Sequence, residues 1–243
     1  MKEVVKKILP SAILQAYRHI KFNALDCYAI KTYSQEGEDM ILSRIFEKQR
    51  TGFYIDIGAY HPKKYSNTYF FYKRGWRGIN IEPNPAVIKL FKKYRAGDIN
   101  LEIGVSDQEG ELTYFMFDEP ALNSFSRELS EERVSNTNYR IIGRKKVKVS
   151  RLDTLLAEYL PNNTSIDFMS VDAEGYDLNI LKSNNWKLYR PKCLLVESLK
   201  SSLSDIFDCP LHHYITDRNY ELFAKTFNSL FYIDKLKENK SYN

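Results

Sequence analysis

The sequence is short of glycine, with 10 in 243 residues, and it carries three cysteines and eight prolines. Nowhere do the glycines gather into a GxGxxG loop. Without such a backbone cradle for a pyrophosphate, NAD and related dinucleotides are disfavoured. Cys27, Cys193 and Cys209 are odd in number and lack CxxC or Cys/His spacing. That argues against a disulfide scaffold or structural zinc, and it suits a reducing compartment and a cytoplasmic location. No apolar run approaches the roughly 20 residues of a membrane-spanning helix. Charge of one sign is scarce too. The 36 Lys and Arg exceed the 31 Asp and Glu by five and are spread along the chain. With no basic stripe, a nucleic-acid partner is not expected.

What is plentiful is core material: 43 % hydrophobic and 14 % aromatic residues, enough for a globular chain with a sizeable interior. Residues 1–32 read as a helical extension. Val4, Val5, Ile8, Ile13, Ala16, Tyr17 and Ile20 share one helical face. Pro10 and Gln15 break the apolar run, and no small-residue cleavage site follows before Arg18, which weighs against a signal peptide. That face is expected to dock on the core, or to pair with a second copy or a membrane surface.

Residues 33–243 read as one domain in which strands and helices alternate. A helix-like stretch with Met40, Ile41, Leu42, Ile45 and Phe46 precedes the strand signal Phe53 to Ile57, which Gly58 ends. An aromatic helix from Tyr69 leads to a second strand, Gly78 to Glu82. Asn84 and Pro85 are placed as helix N-cap and first-turn proline. Further strands are expected at Leu101 to Ile103, Ile166 to Val171 and Cys193 to Val196, with a closing hairpin at Tyr220 to Thr226 and Leu230 to Ile233. The pattern predicts an α/β fold with a mostly parallel sheet and an antiparallel C-terminal hairpin. Residues 117–148 break the rhythm. This polar segment, which carries Arg140, Arg144, Lys145 and Lys146, is expected to form a substrate lid, with a solvated basic hairpin as the alternative.

Acids stand where these strands end: Asp56, Glu82, Asp172 and Glu197, with Asp107 just after the third strand. In open α/β sheets ligands bind outside the carboxyl ends, so the acids predict a crevice there. Glu82, ending the second strand, suits the two hydroxyls of a ribose. S-adenosylmethionine combines a ribose with cationic groups and no phosphate, which fits an acidic nucleoside crevice.

The runs Tyr33-Ser34-Gln35-Glu36-Gly37-Glu38-Asp39, Tyr54-Ile55-Asp56-Ile57-Gly58-Ala59 and Ser66-Asn67-Thr68-Tyr69 resemble those of the FkbM-type methyltransferases. So do Gly75-Trp76-Arg77-Gly78 with Ile81-Glu82-Pro83-Asn84, Ile103-Gly104-Val105-Ser106-Asp107, and Ser170-Val171-Asp172-Ala173-Glu174-Gly175-Tyr176-Asp177. The resemblance spans about residues 33 to 200. It implies a Rossmann-like class I methyltransferase fold, S-adenosylmethionine as cofactor, and methylation of a hydroxyl on a sugar or another oxygenated acceptor. It further implies that Gly58 packs under the cofactor, Glu82 holds the ribose, and Ser106 and Asp107 lie near the adenine. Asp56, Ser34 and Gln35 fall toward the methionine end, and Tyr60, just after the second motif, and Asn67, inside the third, complete the expected cofactor-binding set.

A sugar hydroxyl is a poor nucleophile until its proton is taken or polarised. His61, in the first cofactor loop, is one candidate base. The other is an acidic set, Asp172 with Glu174 and Glu197, able to act directly or to hold Mg²⁺ or Mn²⁺. The alternative role for His61 is to shape its loop, and for Asp172 and Glu174 to cap the following helix. The expected acceptor is a nucleotide-linked sugar or a surface-polysaccharide precursor. The alternatives are a nucleic-acid methyltransferase and a noncatalytic nucleoside-binding module. Against the first, Asn84-Pro85-Ala86 lacks the aromatic Asn-Pro-Pro pattern.

Overall fold

The computed structural model describes residues 10–20, 28–199 and 202–237. It divides into two compact units, Met1–Thr32 and Tyr33–Asn243. In the first, helix α1 spans Ser11–His19 and exposes Ile13 and Tyr17. Val4, Val5, Ile8 and Cys27 lie outside the described residues.

The second unit is built on a seven-stranded sheet. Its strands are β1 (Phe53–Ile57), β2 (Arg77–Ile81), β3 (Ile99–Leu101), β7 (Phe168–Val171), β8 (Cys193–Glu197), β9 (Tyr220–Lys225) and β10 (Ser229–Asp234). Their order is β3-β2-β1-β7-β8-β10-β9. The first five are mutually parallel, while β10 runs antiparallel to both of its neighbours. The order reverses between β1 and β7, so a crevice opens beyond their carboxyl ends.

Alternate side chains sort onto opposite faces, as a pleated strand requires. Ile55, Ile57, Ile79, Ile81, Met169, Val171, Leu194 and Val196 pack on one face. There they meet Leu152, Leu155 and Leu156 of helix α6 (Leu152–Tyr159) and Ile180 of helix α7 (Asp177–Lys182). Tyr54, Phe168, Cys193, Leu195 and Phe231 turn to the other face. Leu42 of helix α2 (Glu38–Ile45), Phe71 of helix α3 (Tyr69–Lys73) and Trp76 cover them. Much of the aromatic content is spent here: Phe46, Phe71, Trp76 and Phe168 form a cluster with ring centroids 4.8–6.5 Å apart.

Helix α4 (Pro85–Tyr94) begins as expected, with the Asn84 side chain accepting the Ala86 N–H at 3.0 Å. The third strand sits two residues earlier than its predicted place, at Ile99–Leu101. Gly104 and Val105 leave that strand to form β4 in a second sheet of order β4-β6-β5.

That second sheet is what residues 117–148 belong to. Strand β5 (Gly110–Phe117) pairs antiparallel with β6 (Ile141–Ser150), and helix α5 (Arg127–Asn136) lies between them. Ser126 caps α5 by accepting the Leu129 N–H at 3.2 Å. The segment is therefore neither irregular nor a bare hairpin. Its polar character arises because one face of a three-stranded sheet and most of α5 remain in water.

Candidate active site

A cavity of about 400 Å³ lies at the carboxyl ends of β1, β2, β7 and β8. Of the residues expected there, Gln35, Asp56, Gly58, Tyr60, Asn67, Glu82, Asp172, Glu174 and Glu197 line it, and Ser34, His61, Ser106 and Asp107 do not. The inserted segment supplies another wall, from Tyr114 and Glu119 to Phe125, with Arg133 of α5.

Gly58 forms the floor. It has φ +75°, and a Cβ there would stand 1.7 Å from the Asp172 carbonyl oxygen. The crowding that requires glycine is thus the neighbouring backbone after β7. Room for a ligand is a separate matter. Gly104 is held by packing instead, since its Cβ would meet the Phe125 ring at 2.6 Å.

Glu82 is buried, and both carboxylate oxygens accept backbone N–H groups: Oε1 from Asn84 at 2.9 Å and Oε2 from Tyr60 at 3.1 Å. Burial nevertheless pushes its pKa up to about 7, against these stabilising donors, with a further upward push from Asp56. To donate to Glu82, Tyr60 adopts φ 48°, an unusual left-handed conformation for a bulky residue. Tyr65 and Glu174, at φ 55° and 52°, also line the cavity, so among the described residues three of the five non-glycine positions with positive φ lie on its wall. Such strain concentrates where surrounding structure holds a side chain in a required place.

Asp56 accepts the Thr68 hydroxyl at 2.6 Å, and burial raises its pKa to about 6. Behind it lies a feature that sequence reasoning missed. Arg95 is fully buried, bonds Asp98 at 2.9 Å, and donates to Thr68 Oγ1 at 3.1 Å and to the Pro62 carbonyl at 3.2 Å. The chain Arg95, Thr68, Asp56 therefore fixes the floor from beneath. An arginine at the end of a basic helix carries no signal for this role, because its partners Thr68 and Pro62 are distant in sequence.

The acidic set gathers as its positions suggested. One ligand atom each from Asp172, Glu174 and Glu197 lie within 4.8 Å of one another. No side chain caps α7; Asp177, its first residue, instead ties down the turn before it, accepting the Ala173 N–H at 3.1 Å and the Gly175 N–H at 3.2 Å. Asp172 and Glu174 face the cavity. Glu174 is held by Arg133, a pairing no sequence spacing announces. Burial, and then the charges of Asp172 and Glu174, raise the Glu197 carboxyl well above the usual range, whereas Asp172 itself is exposed to the cavity.

Ser34, His61, Ser106 and Asp107, outside the lining, make contacts of their own. Ser34 donates to Asp39 Oδ1 at 2.9 Å and accepts the Asp39 N–H at 3.2 Å, bracing the entry to α2. Ser106 donates to Asp107 at 3.2 Å, and Asp107 accepts from Asn179 at 3.1 Å. His61 Nδ1 accepts the N–H groups of Lys63 and Lys64, at 3.1 and 2.9 Å, so its ring closes the loop after β1. Burial and those two lysines lower its pKa. His212 instead meets the Tyr232 hydroxyl at 3.0 Å, away from the cavity lining. Arg140, Arg144, Lys145 and Lys146 are exposed and contribute nothing to that lining.

The charge balance of the cavity is opposite to that of the chain. Its described lining has eight carboxylates, the six on or near the sheet together with Glu36 and Glu119, against two cations, Lys64 and Arg133. A pyrophosphate is ill suited to such a wall, whereas a cationic nucleoside is favoured.

A family model described as the methyltransferase FkbM domain matches residues 56–222. The chain belongs to the FkbM methyltransferase family. No curated protein matches it. Among solved structures, a TehB-like SAM-dependent methyltransferase from Corynebacterium glutamicum is similar over 93 % of this chain and 100 % of its own. That similarity, at 11 % identity and TM-score 0.42, carries no argument about chemistry. Family membership identifies an S-adenosylmethionine-dependent methyltransferase, and the acid-lined crevice fits that cofactor. No helix among the described residues of this FkbM-family chain is long and apolar enough to cross a membrane.

Proposed function

We propose that this methyltransferase acts on a hydroxyl of a sugar, with a neutral sugar or polysaccharide precursor as acceptor. The carboxylate cluster at the ends of β7 and β8, directly beside the Gly58 floor, carries this reading. When bound, S-adenosylmethionine supplies a methyl group activated by a sulfonium. The chain's own part is to hold that cofactor, to place the hydroxyl and to receive its proton.

Glu82 serves the ribose hydroxyls, Asp56 and Gln35 lie toward the methionine end, and the ring of Tyr60 borders the cavity beside Tyr65. A proton leaving the acceptor hydroxyl passes to a carboxylate of the Asp172, Glu174, Glu197 group. His61 is a weaker candidate, because its Nδ1 already accepts two backbone N–H groups.

The acid surplus also narrows the acceptor. A diphosphate within this lining would face repulsion, as would a phosphodiester backbone, so both a nucleotide-linked sugar and a nucleic acid are less suited than a neutral sugar. The test is transfer of an isotope-labelled methyl group from S-adenosylmethionine to a panel of neutral sugars, nucleotide-sugars, amines and RNA. An O-methyl ether on a neutral sugar is expected. Transfer confined to amines or RNA overturns the reading.

A further inference from the structure

We propose that Asp172, Glu174 and Glu197 form a binding site for one hard divalent cation of the Mg²⁺ or Mn²⁺ class at the acceptor end of the cavity. This rests on the proposed function only for its purpose, since the geometry stands apart from any acceptor.

Two observations carry it. The three carboxylates converge from different elements, the turn after β7 and the end of β8, with ligand atoms all within 4.8 Å of one another. Metal–oxygen distances of about 2.0–2.6 Å place two ligands of one ion roughly 4–5 Å apart at most. The cluster therefore fits an ion with a contraction of a few tenths of an ångström or none.

The second observation is independent of the clustering. Glu197 Oε2 is buried and has no hydrogen-bond partner, although Glu197 lines the cavity. A buried carboxylate oxygen left without a donor costs about 1–3 kcal/mol or more, so such atoms are rare unless something unseen satisfies them. A cation between the three residues would do so. The donor set is all oxygen, which selects hard cations over zinc or copper.

The local backbone supports the same assignment. Glu174 holds its side chain in the cluster from a left-handed conformation, φ 52°. Asp177 holds the turn that carries Asp172 and Glu174 by accepting the Ala173 and Gly175 N–H groups. Arg133 pairs with Glu174 and donates its other arm to the Leu122 carbonyl, so one cationic side chain faces three acids. A bound ion would supply the missing positive charge. It would also lower the pKa of a hydroxyl coordinated to it, with the proton passing to a carboxylate oxygen of the same group.

The test is Mn²⁺ titration of the full chain after EDTA treatment and desalting, read by the loss of the free-ion electron paramagnetic resonance signal. One ion per chain is expected. Asp172→Asn and Glu197→Gln should each weaken it at least about tenfold, while Glu111→Gln, at an exposed acid on β5, should not. Glu197→Gln is the safer variant, because its Oε2 has no native hydrogen bond to lose. Circular dichroism establishes that each variant is folded. Wild-type binding no tighter than that of folded Glu197→Gln refutes the site. Calorimetry with S-adenosylmethionine in EDTA separates the two proposals. Cofactor binding without Mn²⁺ binding removes the ion alone, and Mn²⁺ binding without cofactor binding supports the ion while removing the proposed function.

Discussion

Replacing Glu82 by glutamine changes one atom in the side chain and separates two effects of opposite sign. The ordinary carboxyl pKa of 4.5 is pushed up to about 7 by burial. Folded protein therefore binds this proton more tightly than unfolded protein. Glu82 costs the fold nothing below about pH 4.5, and its cost grows between pH 4.5 and 7 and is constant above. At about 1.36 kcal/mol per pKa unit, the full cost above pH 7 is on the order of 3 kcal/mol. Glutamine has no such charge, so it removes the whole pH-dependent loss.

Glutamine also removes an acceptor. The two oxygens of Glu82 take the N–H groups of Asn84 and Tyr60, whereas a carboxamide offers one oxygen and turns an NH₂ toward the other donor. An unsatisfied buried donor costs about 1–3 kcal/mol. Urea unfolding of Glu82→Gln should thus show lower stability than wild type at pH 5, with the gap closing or reversing by pH 8. Calorimetry at pH 8 should show S-adenosylmethionine affinity reduced about 30-fold or more, because charged hydrogen bonds to the ribose, worth ~2 kcal/mol together over neutral ones, are lost. A stability difference independent of pH, or an unchanged cofactor Kd, refutes the reasoning.

Gly58→Ala should lower stability by at least about 3 kcal/mol in chemical denaturation, since its left-handed φ and the 1.7 Å approach to the Asp172 carbonyl both oppose a Cβ. A melting temperature within a degree or two of wild type is the contrary result. Thr68→Val removes the hydroxyl that Asp56 accepts, so NMR titration should find the Asp56 pKa above its present value of about 6. The accompanying stability loss, about 1–2 kcal/mol, should be greater at pH 8 than at pH 5, because the ionised form is the one deprived of its donor. His61→Ala should leave methyl transfer within a few-fold of wild type while lowering the melting temperature, as two loop N–H groups lose their acceptor. A loss of turnover of a hundredfold or more, with cofactor affinity intact, would restore His61 as the base.

The sheet was legible because its signals are local. Phe53 to Ile57 must lie buried on both faces, and Gly58 must turn, whatever surrounds them. Asn84 and Pro85 likewise start a helix through bonds within four residues. The acids at strand ends could be grouped in advance because a parallel sheet delivers all its carboxyl ends to one edge. Residues 117–148 were harder. The strands β5 and β6 are separated by a 23-residue connection, so their pairing leaves no short turn signature.

Composition, strand punctuation and motif order by themselves determined the fold class, the family resemblance and the edge on which a ligand would lie. Tertiary structure alone decided which acid ties the turn before α7 and which two face the cavity, that His61 closes a loop, and that Arg95 and Arg133 act from a distance. It also decided that a chain of net charge +5 carries an acid-lined crevice. The physical reason is range: helix starts and strand turns are settled by neighbours in sequence, whereas burial, charge pairing and an oxygen left without a donor depend on residues that only folding brings together.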